Sequence, residues 1–526
     1  MKTYLLFAPA FLEWPLEIAR EMERRFEGAQ CGGLATGHRQ IAQRVATARD
    51  VRISPLDYLD DLERAWLARA PAPGEMAKYE AMFGLEQLRR LVIADREIGY
   101  GYVSGGVVAD TALVRLSRDP KNIERYVAGM LRHFLTTFEN FRPNVVFCYT
   151  VASAPAFALA IVSEHFGIPF GRFNHTRLGK HLVIDDSPLD RLEPVRERFT
   201  AARDDSCLLR KRMPEARGYI EEFRRAATSP DYLAAHKRRV VAQMSLRRIA
   251  RSTLAAIRTQ FRLAFRQMDL PLRRAMPTRY PGHVLTTALR VRQIRRRRIF
   301  AAPHARPDAA FVFYPLHVDP EAATMVLAPM HTDQIAVVEA LSKSLPLAMR
   351  LVVKEHEPML GRRPAGFYER LARIPGVFLA SPSDSGTALV REAALTATIT
   401  GTAGWEAMLL HKPALLIGNP PYTMVQQGFV QCADLSSLPT AVQAALSVKP
   451  ASDDILALYI AAALDVSFSS GTDVIWSKVT EETVRANPEF LHEVTSRLVA
   501  LAEFRRTGNN ASATMEPKVE TIATGS

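Results

Sequence analysis

A chain of 526 residues exceeds what one hydrophobic core serves, so two or three domains are expected. With 48% hydrophobic and 23% charged residues it reads as an ordinary globular protein, and Cys31, Cys148, Cys207 and Cys432 form no CxxC pair, which argues against a structural zinc site or a disulfide framework and for a reducing cytoplasm. The net charge of +13 is concentrated in 237–300, where 18 Lys or Arg face the single acid Asp269; the rest of the chain sums to about −4, which disfavours a uniformly basic nucleic-acid binder.

The opening Tyr4-Leu5-Leu6-Phe7-Ala8-Pro9 is apolar, but Pro9, Glu13 and Trp14 interrupt it before a signal-peptide core or membrane span is reached, so it reads as a first buried strand. Strands are expected at Thr3–Ala8, Asn144–Tyr149 and Ile168–Phe173, and helices at Leu16–Phe26, Ile123–Phe138 and Ala154–His165. Short β-rich runs alternating with longer helical patterns imply βαβ units and a parallel sheet. Pro143 ends one of these helices before a strand buried on both faces. Gly99 to Gly106 is a glycine-rich loop without the GxGxxG order, which gives a dinucleotide site little support.

From about Pro188 to Arg306 β-branched runs give way to arginine-rich helical sequence, read as a helical insertion or linker. Its sharpest feature is Arg295-Arg296-Arg297-Arg298, preceded by helices around Leu246–Met268 in which apolar and arginine residues interleave. Such a basic helix suits an anionic lipid surface or a polyanionic glycan, or it is a solvated face packed on a domain.

From Ala309 to about Leu501 regular alternation returns, with strands expected at Ala309–Tyr314, Ala348–Lys354, Val377–Ala380, Ala397–Thr400 and Ala414–Ile417. Helices are expected at Thr332–Ser344, Gly366–Ile374, Ser385–Ala393, Gly404–Leu410 and Leu438–Leu446. This describes one doubly wound sheet. The expected organisation is 1–187, 188–306, 307–505 and a polar, disordered tail at 506–526.

In an open parallel sheet ligands bind beyond the carboxyl ends of strands. Polar residues collect there in three loops: Tyr314-Pro-Leu-His317-Val-Asp319-Pro-Glu321, Lys354-Glu355-His356-Glu357-Pro358 and Thr400-Gly401-Thr402-Ala403-Gly404-Trp405-Glu406. In the third, Gly401 and Gly404 let backbone amides approach a phosphate at a helix N-terminus, Thr400 and Thr402 add hydroxyls, and Glu406, one turn in, faces a neutral donor such as a ribose diol. The plainer reading is a turn with Thr402 as helix N-cap and Glu406 as a first-turn acid. Lys354 and His356 should project to one side and neutralise a departing phosphate without a metal. His317, Glu321 and His356 show no short-range metal-ligand pattern, so neither a metal nor another cofactor is expected.

Taken together and in this order, the three loops resemble bacterial capsule and surface-polysaccharide biosynthesis proteins, the group that includes the capsular Kdo transferases, over about Phe311 to Tyr422. Ala94-Asp95-Arg96 and Asn174-His-Thr-Arg177 are weaker landmarks of the same group. The resemblance implies a metal-independent GT-B glycosyltransferase: two Rossmann-like domains facing a cleft, a nucleotide-sugar donor held by the C-terminal one and a glycan or lipid-linked acceptor presented by the N-terminal one. It implies CMP-Kdo or a related acidic sugar among the donors and an acceptor base from the N-terminal domain, for which Asp95 is the first candidate and Glu13 the second; the basic segment would hold a cytoplasmic protein at the inner membrane face or guide an anionic polymer. Asp95 is equally readable as an ion-pair partner of Arg96. Glu357 separates His356 from Pro358, a departure from the His-Pro motif of related transferases. The rival readings are a nucleotide-sugar 2-epimerase and a non-catalytic polysaccharide-binding or export protein.

Overall fold

The computed structural model describes residues 1–103, 110–205, 207–226, 254, 257–258, 271–273, 279–469 and 480–512. The apolar N-terminal run forms β1 (Lys2–Phe7), followed by β2 (Gln30–Ala35), β3 (Ile53–Tyr58), β4 (Val145–Cys148), β5 (Phe170–His175) and β6 (His181–Asp185). They lie in the order β6-β5-β4-β1-β2-β3, parallel except for β6, which runs antiparallel to β5. Alternation sorts the side chains to two cores: Tyr4, Leu6, Val146 and Cys148 enter one, and Leu5, Phe7, Val145 and Phe147 the other. Helices therefore cover both faces, as a parallel sheet requires. Arg142, in the left-handed conformation (φ 51°), ends the helix Pro120–Phe141 just before Pro143 and β4.

The expected strands and helices of this part are present, all but Ala154–His165 with shifted ends, but β2 and β3 carry little sequence signal. β2 contains Gly32 and Gly33, poor strand formers; a Cβ on Gly33 would collide with the Leu5 carbonyl of the adjacent strand. β3 contains Pro55 and is an edge strand, where a missing donor is tolerated.

The second sheet comprises β7 (Phe311–Pro315), β8 (Arg350–Lys354), β9 (Val377–Ala380), β10 (Leu395–Thr398), β11 (Ala414–Leu416) and β12 (Phe429–Gln431), in the order β12-β11-β10-β7-β8-β9 and parallel throughout. This is the doubly wound arrangement with its topological switch between β7 and β10. Phe311 and Phe313 point to one core and Val312 and Tyr314 to the other. The sheet has one strand more than expected, and β10 stops at Thr398, which releases Thr400 and Gly401 into a turn. Two Rossmann-like sheets in one α/β chain thus give the GT-B-like class expected.

The middle segment is only partly an insertion. Its helices Glu193–Asp204 and Met213–Ala226 pack on the helix Asp453–Val466, placing Phe199, Ile220 and Phe223 in one core with Trp405 and Ile460. The helix Arg279–Arg297 docks on the second sheet through Ile294, with Ile299 and Phe300 beyond it. Arg292, Arg295, Arg296 and Arg298 stay exposed, and Arg297 pairs with Glu369 at 2.7 Å. The helices expected around Leu246–Met268 lie outside the described residues apart from 254 and 257–258. Pro271–Arg273 straps the first unit: Leu272 enters its core and donates its N–H to Asp60.

The C-terminal segment leaves the second sheet. β13 (Phe468–Ser469) pairs antiparallel with β6, and the helix Pro488–Ser512 packs Phe490 against Trp14 with ring centroids 4.8 Å apart. Residues 468–505 therefore complete the first sheet, and the backbone is helical through Ser512; the rest of the expected tail lies outside the described residues. No described helix is long and apolar enough to cross a membrane.

Candidate functional site at the second switch point

Two loops flank the switch between β7 and β10, and hydrogen bonds lock them together. The Thr400 N–H donates to Nε2 of His317 at 3.3 Å, and the Thr400 hydroxyl donates to the Ala323 carbonyl at 2.9 Å. The imidazole thus carries its proton on Nδ1, which is buried and has no partner among the described residues. Burial first, then the charges of His356 and Arg363, pushes His317 down to about 3, so it is neutral at physiological pH.

The helix Thr402–Leu409 starts two residues earlier than expected, so Gly401 rather than Thr402 is its N-cap. A glycine cap has no side chain to offer, so among the described residues the first-turn amides of Thr402, Ala403 and Gly404 have no side-chain acceptor from the cap. The Gly401 N–H itself donates to Thr398 Oγ1 at 3.1 Å. A Cβ on Gly401 would stand 2.7 Å from that oxygen and 3.3 Å from His317 Nε2, so the turn closes only with glycine. Gly404 also has a packing role beneath the turn. A Cβ there would overlap the Tyr422 hydroxyl and stand 2.8 Å from Leu416 Cδ2, whereas with glycine that hydroxyl donates to the Gly401 carbonyl at 2.6 Å.

Beneath the loops lies a buried clamp that local sequence pattern does not reveal. The Arg363 guanidinium donates to Glu355 at 2.7 and 3.0 Å, to Asp319 at 2.9 Å and to the His317 carbonyl at 2.7 Å. Gln334 bonds both the N–H and the carbonyl of His317 and donates to Asp319, while Tyr368 donates to Glu355 at 2.9 Å. Glu355, just past the end of β8, is fully buried and points inward to this clamp. His356 is near enough for its charge to act on His317, and Lys354 Nζ donates to the Glu355 carbonyl at 3.1 Å. The structure therefore gathers His317, His356, Thr400 and Gly401 at one place.

Glu406 lies one turn along the same helix, and the Thr402 hydroxyl donates to it at 3.5 Å. It accepts from the Thr387 hydroxyl at 3.0 Å, lies near Tyr219, and burial pushes it up to about 7. Its residue is 8% exposed.

The two N-terminal carboxylates are engaged elsewhere. Asp95 is fully enclosed: Arg273 holds it at 2.9 and 3.1 Å, and the N–H groups of Ala154, Glu97 and Ile98 donate to it. Despite burial, these partners hold its carboxyl below the usual value. Its ion-pair partner is thus Arg273, not Arg96. Arg273 also binds Glu63 at 2.6 Å and Glu97 at 2.7 Å, and burial drives Glu97 up to about 8. Glu13 starts the helix after β1 and pairs with Arg44 at 2.7 Å; burial raises it and Arg44 opposes the rise. Phe11 stacks on Tyr149 at 3.7 Å over the switch between β1 and β4.

The first unit also sends residues toward the second. Thr332 donates to the Tyr102 carbonyl at 2.7 Å, the exposed Arg96 acts on the charge of Glu321, and Arg177, paired with Asp190 at 3.0 Å, acts on Tyr422. Asn174 bonds Asp185 at 2.9 Å and also Asp190, holding this corner in place. Among the described residues no group of three or more His, Cys, Asp or Glu is placed to hold a metal ion. A cavity of about 710 Å³ lined by Glu17, Glu21, Val484 and His492 shares no lining residue with these loops.

No protein-family model and no curated protein matches the sequence. Among solved structures the chain is similar to UDP-GlcNAc 2-epimerase from Neisseria meningitidis bound to UDP-GlcNAc, at 10% identity and TM-score 0.23, over 89% of this chain and 98% of that one. It is similar to the β-Kdo 2,7 transferase KpsC of Thermosulfurimonas dismutans, at 14% identity and TM-score 0.28, over 67% and 84%. A glycotransferase of kitacinnamycin matches at 13% identity and TM-score 0.24, over 94% and 98%. Values this low leave function to be argued from the chain's own residues.

Proposed function

We propose that this chain is a metal-independent glycosyltransferase that moves a sugar from a nucleotide-activated donor, CMP-Kdo or a related acidic sugar, to a growing cell-surface glycan or a lipid-linked acceptor. The observation that carries this reading is the first turn of Thr402–Leu409 at the β7/β10 switch, which has no side-chain acceptor from its cap, backed by the buried Nδ1–H of His317, unpartnered among the described residues. Amides at a helix start favour a phosphate by both hydrogen bonding and the helix dipole. The donor phosphates are placed there, with the ribose diol at Glu406. Lys354 and His356 neutralise the charge that builds on the departing nucleotide. The Arg363 clamp fixes the loop geometry before substrate arrives, so that catalysis draws on positioning.

The first unit presents the acceptor across the crevice that Arg96 and Arg177 border. The protein works in the cytoplasm, held at the inner face of the cell membrane by the arginine face of Arg279–Arg297. The purified chain is to be incubated with a panel of CMP- and UDP-sugars, with and without acceptor glycan. Acceptor-dependent nucleotide release supports the proposal, sugar isomerisation without acceptor identifies an epimerase, and the absence of any donor binding or hydrolysis refutes both.

A further inference from the structure

Five carboxylates close to the two switch points already have strong partners. Asp95 is held by Arg273, Asp319 and Glu355 by Arg363, Asp190 by Arg177 and Glu13 by Arg44. Glu321 differs: among the described residues its carboxylate makes no hydrogen bond and no ion pair. It ends the loop after β7 and begins the short helix Ala322–Met325, with its side chain partly buried. Two residues on, the Ala323 carbonyl accepts from the Thr400 hydroxyl, which ties this turn to the Gly401 turn. In the other direction, Val326 enters the core of the first unit and its carbonyl faces Arg90. Glu321 therefore stands where the two units meet, beside the proposed phosphate site, with Arg96 of the first unit near it.

We propose that Glu321 is the general base of the transfer, taking the proton of the acceptor hydroxyl while Arg96 holds an anionic group of the sugar or the acceptor. The acceptor O–H breaks as its oxygen bonds the anomeric carbon. The proton goes to a Glu321 carboxylate oxygen, the bond from the anomeric carbon to the phosphate oxygen breaks, and its electron pair leaves with the nucleotide. The charged groups that face Glu321 are Arg96 from the first unit and Asp319 from its own loop. Burial, reinforced by Asp319 and opposed by Arg96, raises Glu321 to about 7, in the range where a base is both ionised and strong enough to be useful near neutrality.

This inference rests on the glycosyltransferase reading, and the test separates the two. Nucleotide binding is measured by calorimetry with CMP and UDP, and transfer with whichever CMP- or UDP-sugar the wild type turns over. Glu321→Gln is expected to bind nucleotide as wild type does and to lose about 10²–10⁴-fold in kcat. The wild-type kcat should rise through about pH 7 as Glu321 ionises, and that limb should vanish in Glu321→Gln. Glu321→Asp, which keeps a carboxylate, should retain the limb with a smaller loss, and formate should partly restore Glu321→Ala. If the wild type transfers sugar and Glu321→Gln keeps its kcat and pH limb, Glu321 is not the base while the glycosyltransferase reading stands. If the variants lose nucleotide binding and transfer together and Glu321→Asp behaves as Glu321→Gln does, the residue is structural and the proposal fails. A wild type that neither binds nucleotide nor transfers sugar overturns both readings.

Discussion

Replacing Arg363 with Met removes the positive centre of the clamp beneath the proposed donor site while keeping much of its volume. The guanidinium is fully buried and makes two hydrogen bonds to Glu355, one to Asp319 and one to the His317 carbonyl. Its loss strands two buried carboxylates, and breaking a buried pair from one side costs about 3–5 kcal/mol. For a unit of this size each kcal/mol moves Tm by roughly 2–4 °C, so a fall of about 6–20 °C is expected.

The sign of the pH effect follows from Asp319. Burial raises its folded-state value above the unfolded one, so its contribution is present below the unfolded value and is lost as pH rises through the folded one. Arg363 opposes that rise, so removing it widens the loss, and the wild-type-minus-variant gap should grow as pH rises above the ordinary aspartate value of 3.8. Differential scanning calorimetry at several pH values reads both quantities. A shift under about 2 °C, or a gap that narrows with rising pH, refutes the clamp as described.

Gly404→Ala forces the Tyr422 hydroxyl off the Gly401 carbonyl; an overpacking cost of about 1–3 kcal/mol should lower Tm and, by loosening the turn, weaken CMP or UDP binding in calorimetry. Unchanged Tm and affinity would count against the packing role. Glu406→Ala should weaken nucleotide binding by on the order of 10–100-fold through loss of a charge-assisted contact to the ribose, while binding to anionic vesicles survives. Equal loss of both would favour a general folding defect instead. Changing Arg295, Arg296 and Arg298 to Ser should cut co-sedimentation with phosphatidylglycerol vesicles about 10²-fold, at ~1 kcal/mol per arginine, and the wild-type signal should fall with added salt. Retention of vesicle binding by this variant would remove the arginine face from the membrane-contact account.

Much of the architecture was legible in the chain itself because strand and helix periods are local properties. Ala154–His165 and Val377–Ala380 were bounded to the residue, and the run from Ala309 onward declared a doubly wound sheet through its alternation of β-branched runs and helical stretches. The three polar strand-end loops were legible too, since they follow those strands directly. Strands that break propensity were not: β2 with its paired glycines and β3 with Pro55 exist because neighbouring strands and an edge position accept them.

What the tertiary structure alone decided is who partners whom. Arg273 and Asp95 lie far apart in sequence, so nothing local disclosed that this arginine, from the segment read as a basic insertion, encloses the carboxylate first chosen as base. The return of β13 and the last helix to the first sheet was hidden for the same reason: an apolar strand or helix shows that it needs a surface, not which surface. The loop chemistry was written in residue order, but residue order did not show that Gly404 also makes room for Tyr422, nor that Arg273 encloses Asp95 while, among the described residues, the Glu321 carboxylate makes no hydrogen bond or ion pair. Residue type and spacing specify local conformation; burial and charge compensation are set by residues that meet only when the sheets and their covering helices are assembled.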